Sequence, residues 1–152
     1  MTKFKFNAYC NDKLEPSTSD KNFPKFVEWV YDGSGDVNIY ISQRSLDAIN
    51  DTTGKPKYIW LLESKQIIPQ FYDWVDSNYD FVASRVDGIF SCDEEFCAKH
   101  EKVSYCISNA APWIVDRKVY EKSKLVSMIA SNKRMCEGHM KRLSFVDKFR
   151  DK

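Results

Sequence analysis

The stretch KLVSMIASNKRMCEGHMKR, residues 124–142, predicts a buried strand, a polar loop and a basic helix, in that order. The apolar run at residues 125–130 is typical of a strand inside a parallel sheet. Small and polar side chains follow at residues 131–133, and helical spacing resumes with His139, Leu143 and Val146. A strand, a turn and a helix start in this order favour anion binding, because the first N–H groups of a helix and its dipole both attract negative charge.

Four basic side chains lie close to this predicted helix start, namely Lys133, His139, Lys141 and Arg142. We therefore interpret the stretch as a site for the diphosphate of a nucleotide sugar. Basic residues in a final helix also commonly form a solvated surface, so that alternative stays open. For His139, a packing role at the helix is as compatible with the sequence as a contact with phosphate.

Length and charge limit the classes of function. The chain has 152 residues, which favours a domain with a substantial core, and its 23 basic and 22 acidic residues give a formal charge of +1. No global field therefore attracts nucleic acid or an anionic membrane, and we expect neither as a partner. No run of 18 apolar residues occurs, so we also expect no membrane span.

Cysteine usage predicts reduced thiols and a cytoplasmic location. The chain has five cysteines, an odd number, and its opening residues MTKFKFNAYC lack the apolar core of a signal peptide. Cys92, Cys97 and His100 raise the alternative of a zinc site. Their C-x4-C spacing is looser than a zinc knuckle, no second pair follows, and helical periodicity explains Cys97 as inward-facing. We predict no metal.

Alternating strand and helix patterns predict an α/β fold. Strands are expected at residues 3–10, 37–41, 58–62, 89–90 and 103–107. Helical segments are expected at residues 23–30 (a helix or turn), 45–49, 69–79 and 94–98. Few hairpin signals occur, so we predict a Rossmann-like, three-layer α/β domain with a mainly parallel sheet.

Glu63 is the candidate catalytic carboxylate. It follows YIWLL, residues 58–62, a strand that is apolar on both sides and therefore predicted to be central. Ligands of open parallel sheets bind at the carboxyl ends of the strands, where this side chain is placed. Two plainer interpretations stay open: a solvated carboxylate, or an ion pair with Lys65.

The order of several segments resembles the fucosyltransferase-type glycosyltransferases of family 10. These segments are YIWLLES, DGIFSCDEEF, a Pro-Trp loop, and KSKLVSMIASNK followed by GHMKR. The resemblance implies half of a GT-B architecture, which has two Rossmann-like lobes facing a cleft. Residues 1–121 would form the acceptor-side lobe, and residues 122–152 the first strand and helix of a truncated donor lobe. Glu63 would be the base, and the donor would be held by Ser131, Asn132, Lys133, His139 and Arg142.

The resemblance also implies the chemistry. The family transfers a sugar, here fucose-like, from a nucleotide sugar such as a GDP-linked one to a glycan hydroxyl, with inversion and without a metal or other cofactor. Residues matching the remaining donor lobe do not follow, so the resemblance implies a truncated gene, an expressed fragment, or one piece of a split enzyme whose second subunit supplies that lobe. The alternative is a non-catalytic glycan-binding or assembly module that pairs with a separate donor subunit. An exposed apolar patch around Leu143, Val146 and Phe149 would support it.

Overall fold

The computed structural model describes residues 4–11, 27–106, 121, 123–124, 128 and 130–149. The chain forms two compact units, Met1–Val115 and Asp116–Lys152. The predicted boundary lay between residues 121 and 122. Whether the second unit begins a donor lobe stays a prediction.

The first unit contains a six-stranded sheet in which every neighbouring pair is parallel. Its strands are β1 Phe4–Tyr9, β2 Val27–Val30, β3 Val37–Ile41, β4 Lys57–Leu61, β5 Gly88–Ser91 and β6 Val103–Tyr105. Their spatial order is β2-β1-β3-β4-β5-β6. The predicted Rossmann-like α/β class with a parallel sheet is therefore confirmed, and β4 lies inside the sheet as predicted.

Helical segments connect the strands from β3 onward. They are a 3-10 helix at Ser42–Asn50, then α1 Pro69–Ser77, α2 Tyr79–Ala83 and α3 Glu94–Lys99. Pro69 opens α1, where a missing N–H costs nothing. Asp93 caps α3 by accepting a hydrogen bond from the Phe96 main-chain N–H at 2.8 Å. The predicted helix at residues 69–79 is two helices, separated at Asn78, whose side chain donates to the Trp74 carbonyl oxygen at 2.8 Å.

The main core lies on the sheet face that these helices cover. Alternation along β4 points Ile59 and Leu61 into this core, and both side chains are fully buried. The other buried members of the core are Tyr40, Ala48, Ile68, Tyr72, Val75, Val82, Val86, Ile89, Phe96 and Val103. Burial of each large apolar side chain contributes about 1.5–3 kcal/mol, so this face supplies most of the apolar stabilisation of the unit.

The opposite sheet face is rich in aromatic rings. We call it the aromatic face and define it by Phe6, Trp29, Tyr58, Trp60 and Phe90, which surround the buried cluster Ala8, Ile39 and Ile41. Strand β4 directs Tyr58 and Trp60 to this face. Both sides of β4 are therefore apolar, as the sequence predicted.

One predicted element of the first unit is wrong. Residues 23–30 were expected to form a helix or turn, but Val27–Val30 is a strand that pairs in parallel with β1. The spacing of Phe26, Val27 and Val30 fits a helix, whereas main-chain pairing with β1 decides the conformation of so short an edge strand. Residues 23–26 lie outside the described residues.

The second unit contains the predicted final helix, α4, at Glu137–Phe149. The buried strand expected at residues 125–130 is not borne out where the structure describes it. Met128 and Ala130 are exposed and belong to no strand, and residues 125–127 and 129 lie outside the described part. In α4 itself no residue is buried. Across the described residues, no helix combines the length and apolar character needed to cross a membrane.

Candidate functional site

The direction of the strand connections reverses between β1 and β3. From β1 the chain moves to β2 on one side, whereas from β3 it proceeds through β4 and β5 to β6 on the other. In open parallel sheets, ligands bind at the carboxyl ends of strands beside such a reversal. The residues that follow the strands at this edge are Cys10 and Asn11 after β1, Ser42 and Gln43 after β3, and Glu63 after β4.

Ser42 has an unusual backbone conformation at this edge. Its φ is 48°, and it is the one non-glycine residue among those described that has a positive φ. Its side chain is buried, and its carbonyl oxygen accepts a hydrogen bond from the Ser45 hydroxyl at 2.5 Å. A left-handed serine is strained, and such strain clusters at ligand sites. The sequence carried no signal for it.

Glu63 is exposed at the carboxyl end of β4, where the sequence placed it. No ion pair with Lys65, or with any other described residue, holds its carboxylate. Its main-chain carbonyl oxygen accepts a hydrogen bond from the Tyr72 hydroxyl at 3.2 Å. The carboxylate is thus open to solvent and to a bound ligand, while its backbone is anchored.

A buried pair of hydroxyl groups provides that anchor. The Tyr72 hydroxyl lies 2.9 Å from the Ser91 Oγ, which also accepts a hydrogen bond from the Asp93 N–H at 3.0 Å. Both side chains are fully buried. Desolvation is the main reason why the pKa of Tyr72 rises to about 12, so the phenol remains a neutral donor. The ends of β4 and β5 are joined through this pair.

Replacing Tyr72 tests the anchor. We expect Tyr72→Phe to lower the free energy of unfolding by about 1–2 kcal/mol, because it removes the hydrogen bond to Glu63 and one partner of the buried Ser91 hydroxyl. Urea denaturation followed by circular dichroism measures the change. Tyr105→Phe, at an exposed tyrosine, is the matched control and should change stability by less than about 0.5 kcal/mol. Equal effects of the two substitutions would contradict the role of Tyr72.

The predicted donor residues all belong to the second unit. Ser131, Asn132 and Lys133 are exposed in the segment before α4, and Arg142 is exposed on the helix. The helix begins at Glu137, later than the sequence suggested, so the serine and asparagine are not at its first turn. The described structure therefore shows solvent-accessible polar and basic groups here.

At the start of α4, where the sequence predicted a phosphate, two side chains already have partners within the chain. His139 accepts a hydrogen bond from the Met135 N–H on its Nδ1 atom, at 3.2 Å. Glu137 occupies the first turn and pairs with Lys141 at 2.6 Å. A carboxylate of the chain itself is thus already near the positive end of the helix dipole, where a phosphate was expected.

The cysteines and His100 have local partners. All five cysteines lie among the described residues, and none of them forms a disulfide. The Cys97 thiol donates to the Ser91 carbonyl oxygen at 3.7 Å, and burial raises its pKa. The His100 Nε2 lies 2.6 Å from Asp76 Oδ1, and its ring stacks on Tyr79 with a centroid distance of 4.0 Å. Within the described ranges, no cluster of three or more His, Cys, Asp or Glu side chains has the arrangement of a metal site.

A buried polar network on β1 and β3 was not predicted. Asn7 and Asn38 face each other in the strand register, and the Asn7 Nδ2 donates to the Asn38 Oδ1 at 2.6 Å. The Asn38 Nδ2 donates to Asp51 Oδ2 at 2.7 Å and to the Thr53 Oγ1 at 2.9 Å. Both asparagines are almost completely buried, so this network is part of the scaffold rather than of a ligand site.

Hydrogen bonds hold the Asp51 carboxylate ionised. Burial alone raises its pKa, but donors outweigh that effect and lower the pKa to about 2. These donors are the main chain and hydroxyl of Thr53, the Asn38 amide and the Tyr40 hydroxyl. The network is therefore an ionic as well as a polar part of the scaffold.

Comparisons of the chain with protein-family models, with curated proteins and with solved structures found no match.

Proposed function

We propose that this chain is a glycosyltransferase-type domain that takes part in the inverting transfer of a fucose-like sugar from a nucleotide sugar to a glycan hydroxyl. The observation that carries the proposal is the position of Glu63, an exposed carboxylate at the carboxyl end of an internal strand of a parallel, Rossmann-like sheet. Ligands of this class of sheet bind at that edge. The anchored backbone and free carboxylate of Glu63 suit a general base.

The proposed reaction is a single displacement. Glu63 accepts the proton of the acceptor hydroxyl while that oxygen forms a bond to the anomeric carbon of the sugar. The bond from this carbon to the diphosphate oxygen breaks on the opposite side, so the configuration inverts. The nucleoside diphosphate leaves with the bonding electrons, and cationic side chains of a donor-binding site would stabilise its charge without a metal.

A second subunit that supplies the rest of the donor lobe is part of the proposal, as is a cytoplasmic location. The reduced state of all five cysteines supports a reducing compartment. The exposed basic groups near α4 would provide the first contacts to the donor. The partner would supply the remaining contacts to the nucleotide and the sugar. The acceptor glycan would lie along the edge of the first unit that contains Glu63.

Calorimetric titration with GDP and a panel of other nucleoside diphosphates and their sugar conjugates tests the proposal. We expect a dissociation constant between micromolar and low millimolar, and we expect Arg142→Ala to weaken binding about tenfold because a charge-assisted hydrogen bond is lost. Arg134→Ala is the matched control, an exposed arginine of the same unit outside the proposed donor set, and should leave the affinity unchanged. Glu63→Gln should also bind normally, since the base does not hold the donor.

A second candidate function is an assembly module without turnover. The observation that favours it is the surface of α4, on which Met140 and Phe145 are exposed, Leu143 and Val146 are half-buried, and no residue is buried. If no nucleotide of the panel bound, that result would contradict donor binding and favour this second function. Binding that Arg142→Ala and Arg134→Ala weaken equally would reduce the proposed site to general surface charge.

A further inference from the structure

A cavity of about 140 Å³ lies on the aromatic face of the first unit. The described residues of its lining come from five strands and from the position that follows β6, namely Phe6, Trp29, Ile39, Trp60, Phe90 and Cys106. Four of these six side chains are aromatic. Glu63 is not among these lining residues, and nothing in the proposed transfer reaction uses the cavity.

Two indole rings define the shape of the cavity. Trp29 on β2 and Trp60 on β4 lean toward each other over the strands between them, with planes 17° apart and centroids separated by 6.4 Å. The edge of the Phe6 ring contacts Trp29 at a centroid distance of 5.6 Å. Large flat walls of this kind are complementary to a planar ring, because aromatic groups prefer offset stacking and edge contacts.

The polarity of the lining restricts the ligand. Among the described residues, every side chain that lines the cavity is apolar apart from the weakly polar thiol of Cys106 and the indole N–H groups. A charged group or a sugar would lose its hydration without replacement partners in such a space. The ligand must therefore be largely apolar and uncharged.

Trp60 adds one polar feature. Its Nε1 atom is buried and finds no hydrogen-bond partner in the described part of the chain. Buried donors nearly always have a partner, and an unsatisfied one calls for an explanation such as an acceptor supplied by a ligand. The Trp60 side chain is itself part of the cavity lining.

We propose that this cavity binds a small, neutral, planar heteroaromatic molecule that carries a single hydrogen-bond acceptor. Its size fits one ring or two fused rings, since an apolar cavity of about 150 Å³ in another protein holds benzene. The ring stacks on the face of an indole, because centroids only 6.4 Å apart leave no room for a third ring between the two, and its acceptor atom takes the Trp60 N–H. The affinity comes mostly from apolar contact, and the acceptor adds selectivity among rings of equal size.

Quinoline and naphthalene form a matched pair of probes, because they have the same shape and only quinoline carries an acceptor nitrogen. We expect both to bind, with quinoline about fivefold tighter, as one neutral hydrogen bond predicts. Proton–nitrogen correlation spectra of the indole N–H groups report the binding. The Trp60 signal should shift with quinoline, whereas the signal of Trp74, on α1 at the other sheet face, should not.

Two variants make the test decisive. Ile39→Phe fills the cavity from its floor and should weaken both probes at least tenfold, while Trp60→Phe keeps a ring but removes the N–H and should make the two affinities equal. Backbone amide spectra and thermal unfolding confirm that each variant is folded. If Ile39→Phe does not fold, Cys106→Leu fills the same space from the edge strand. No shift at Trp60, or unchanged affinity in a folded filled variant, would overturn the proposal.

Discussion

Gly35→Ala is expected to lower the free energy of unfolding by roughly 3–5 kcal/mol, the range reached only by severe steric or buried polar defects. A methyl group at this position would lie 2.8 Å from the Lys5 carbonyl oxygen and 2.9 Å from both the main-chain nitrogen and the Oδ1 of Asn7. Real Cβ atoms essentially never approach other atoms so closely. The glycine is therefore required for close approach of two backbone segments rather than for a special φ.

The surroundings of Gly35 cannot move aside cheaply. Its N–H donates to the Asn7 Oδ1 at 2.7 Å, and its carbonyl oxygen accepts from the Asn7 Nδ2 at 3.1 Å and from the Lys55 ammonium at 2.8 Å. The next residue, Asp36, donates its N–H to the Lys5 carbonyl oxygen at 2.8 Å. Relief of the clash would break several of these bonds and would displace β1, whose other side pairs with β2.

Gly54→Ala is the matched control for this prediction. Gly54 has a φ of 73°, so alanine is strained there, but nothing lies within 4 Å of the added methyl group. We expect a cost of about 1–2 kcal/mol from backbone strain alone. Urea denaturation of both variants, followed by tryptophan fluorescence, measures the difference. If Gly35→Ala were no less stable than Gly54→Ala, the close contact between the Gly35 backbone and β1 would be able to relax.

The sheet was predictable where burial on both faces dominates the sequence. The run YIWLL, residues 58–62, contains no polar side chain, so only an internal strand accommodates it, and β4 lies inside the sheet. Alternation along β1 places Phe6, Ala8 and Cys10 on one face in the same way. In these segments, local pattern and tertiary burial agree.

Prediction failed where tertiary contacts decide the conformation. Val27–Val30 has too few residues for its periodicity to distinguish a strand from a helix, and its pairing with β1 settles the matter. Met128 and Ala130 lie in a run that is apolar enough for a strand, yet both are exposed. An apolar run predicts burial only when a neighbouring strand is available to pair with it, which the sequence does not specify.

The candidate site was predictable only in its position. Glu63 follows an apolar strand, and the general rule for parallel sheets then places it at the carboxyl edge. The hydroxyl pair of Tyr72 and Ser91 comes from a helix and a strand separated by 19 positions, and the left-handed Ser42 has no sequence signature. Asn7 and Asn38 appear unremarkable until the β1–β3 register sets them opposite each other.

Asn38→Ala is expected to lower the free energy of unfolding by about 3 kcal/mol, because the buried Asn38 amide satisfies three partners at once. Its Oδ1 accepts from Asn7 at 2.6 Å, and its Nδ2 donates to Asp51 and Thr53 at 2.7 and 2.9 Å. Alanine would leave the Asn7 amide without this acceptor and the Asp51 carboxylate without this donor. Asn50→Ala, at an exposed asparagine, is the matched control and should change stability by less than about 0.5 kcal/mol.

The pH dependence of this effect identifies its ionic part. The pKa of Asp51 is about 2 in the folded chain, below its ordinary value of 3.8, so its hydrogen bonds contribute stability that is fully present above pH 4. This contribution is lost as the pH falls through about 2. Because Asn38 is one of the donors, the pKa of Asp51 in Asn38→Ala lies closer to its ordinary value, and less stability remains to be lost in acid.

The difference in unfolding free energy between the native chain and Asn38→Ala should therefore be smaller at pH 2 than at pH 7, by about 1 kcal/mol, since Asp51 is partly solvated. Urea denaturation at several pH values between 2 and 7 measures it. Asp51→Asn supplies the second check, because it removes the titrating group, and Asn38→Ala in that background should have the same effect at every pH. If the difference in unfolding free energy between the native chain and Asn38→Ala were the same at every pH, Asn38 would act through its neutral partners, Asn7 and Thr53. Asp51 would then keep its low pKa through its other donors alone.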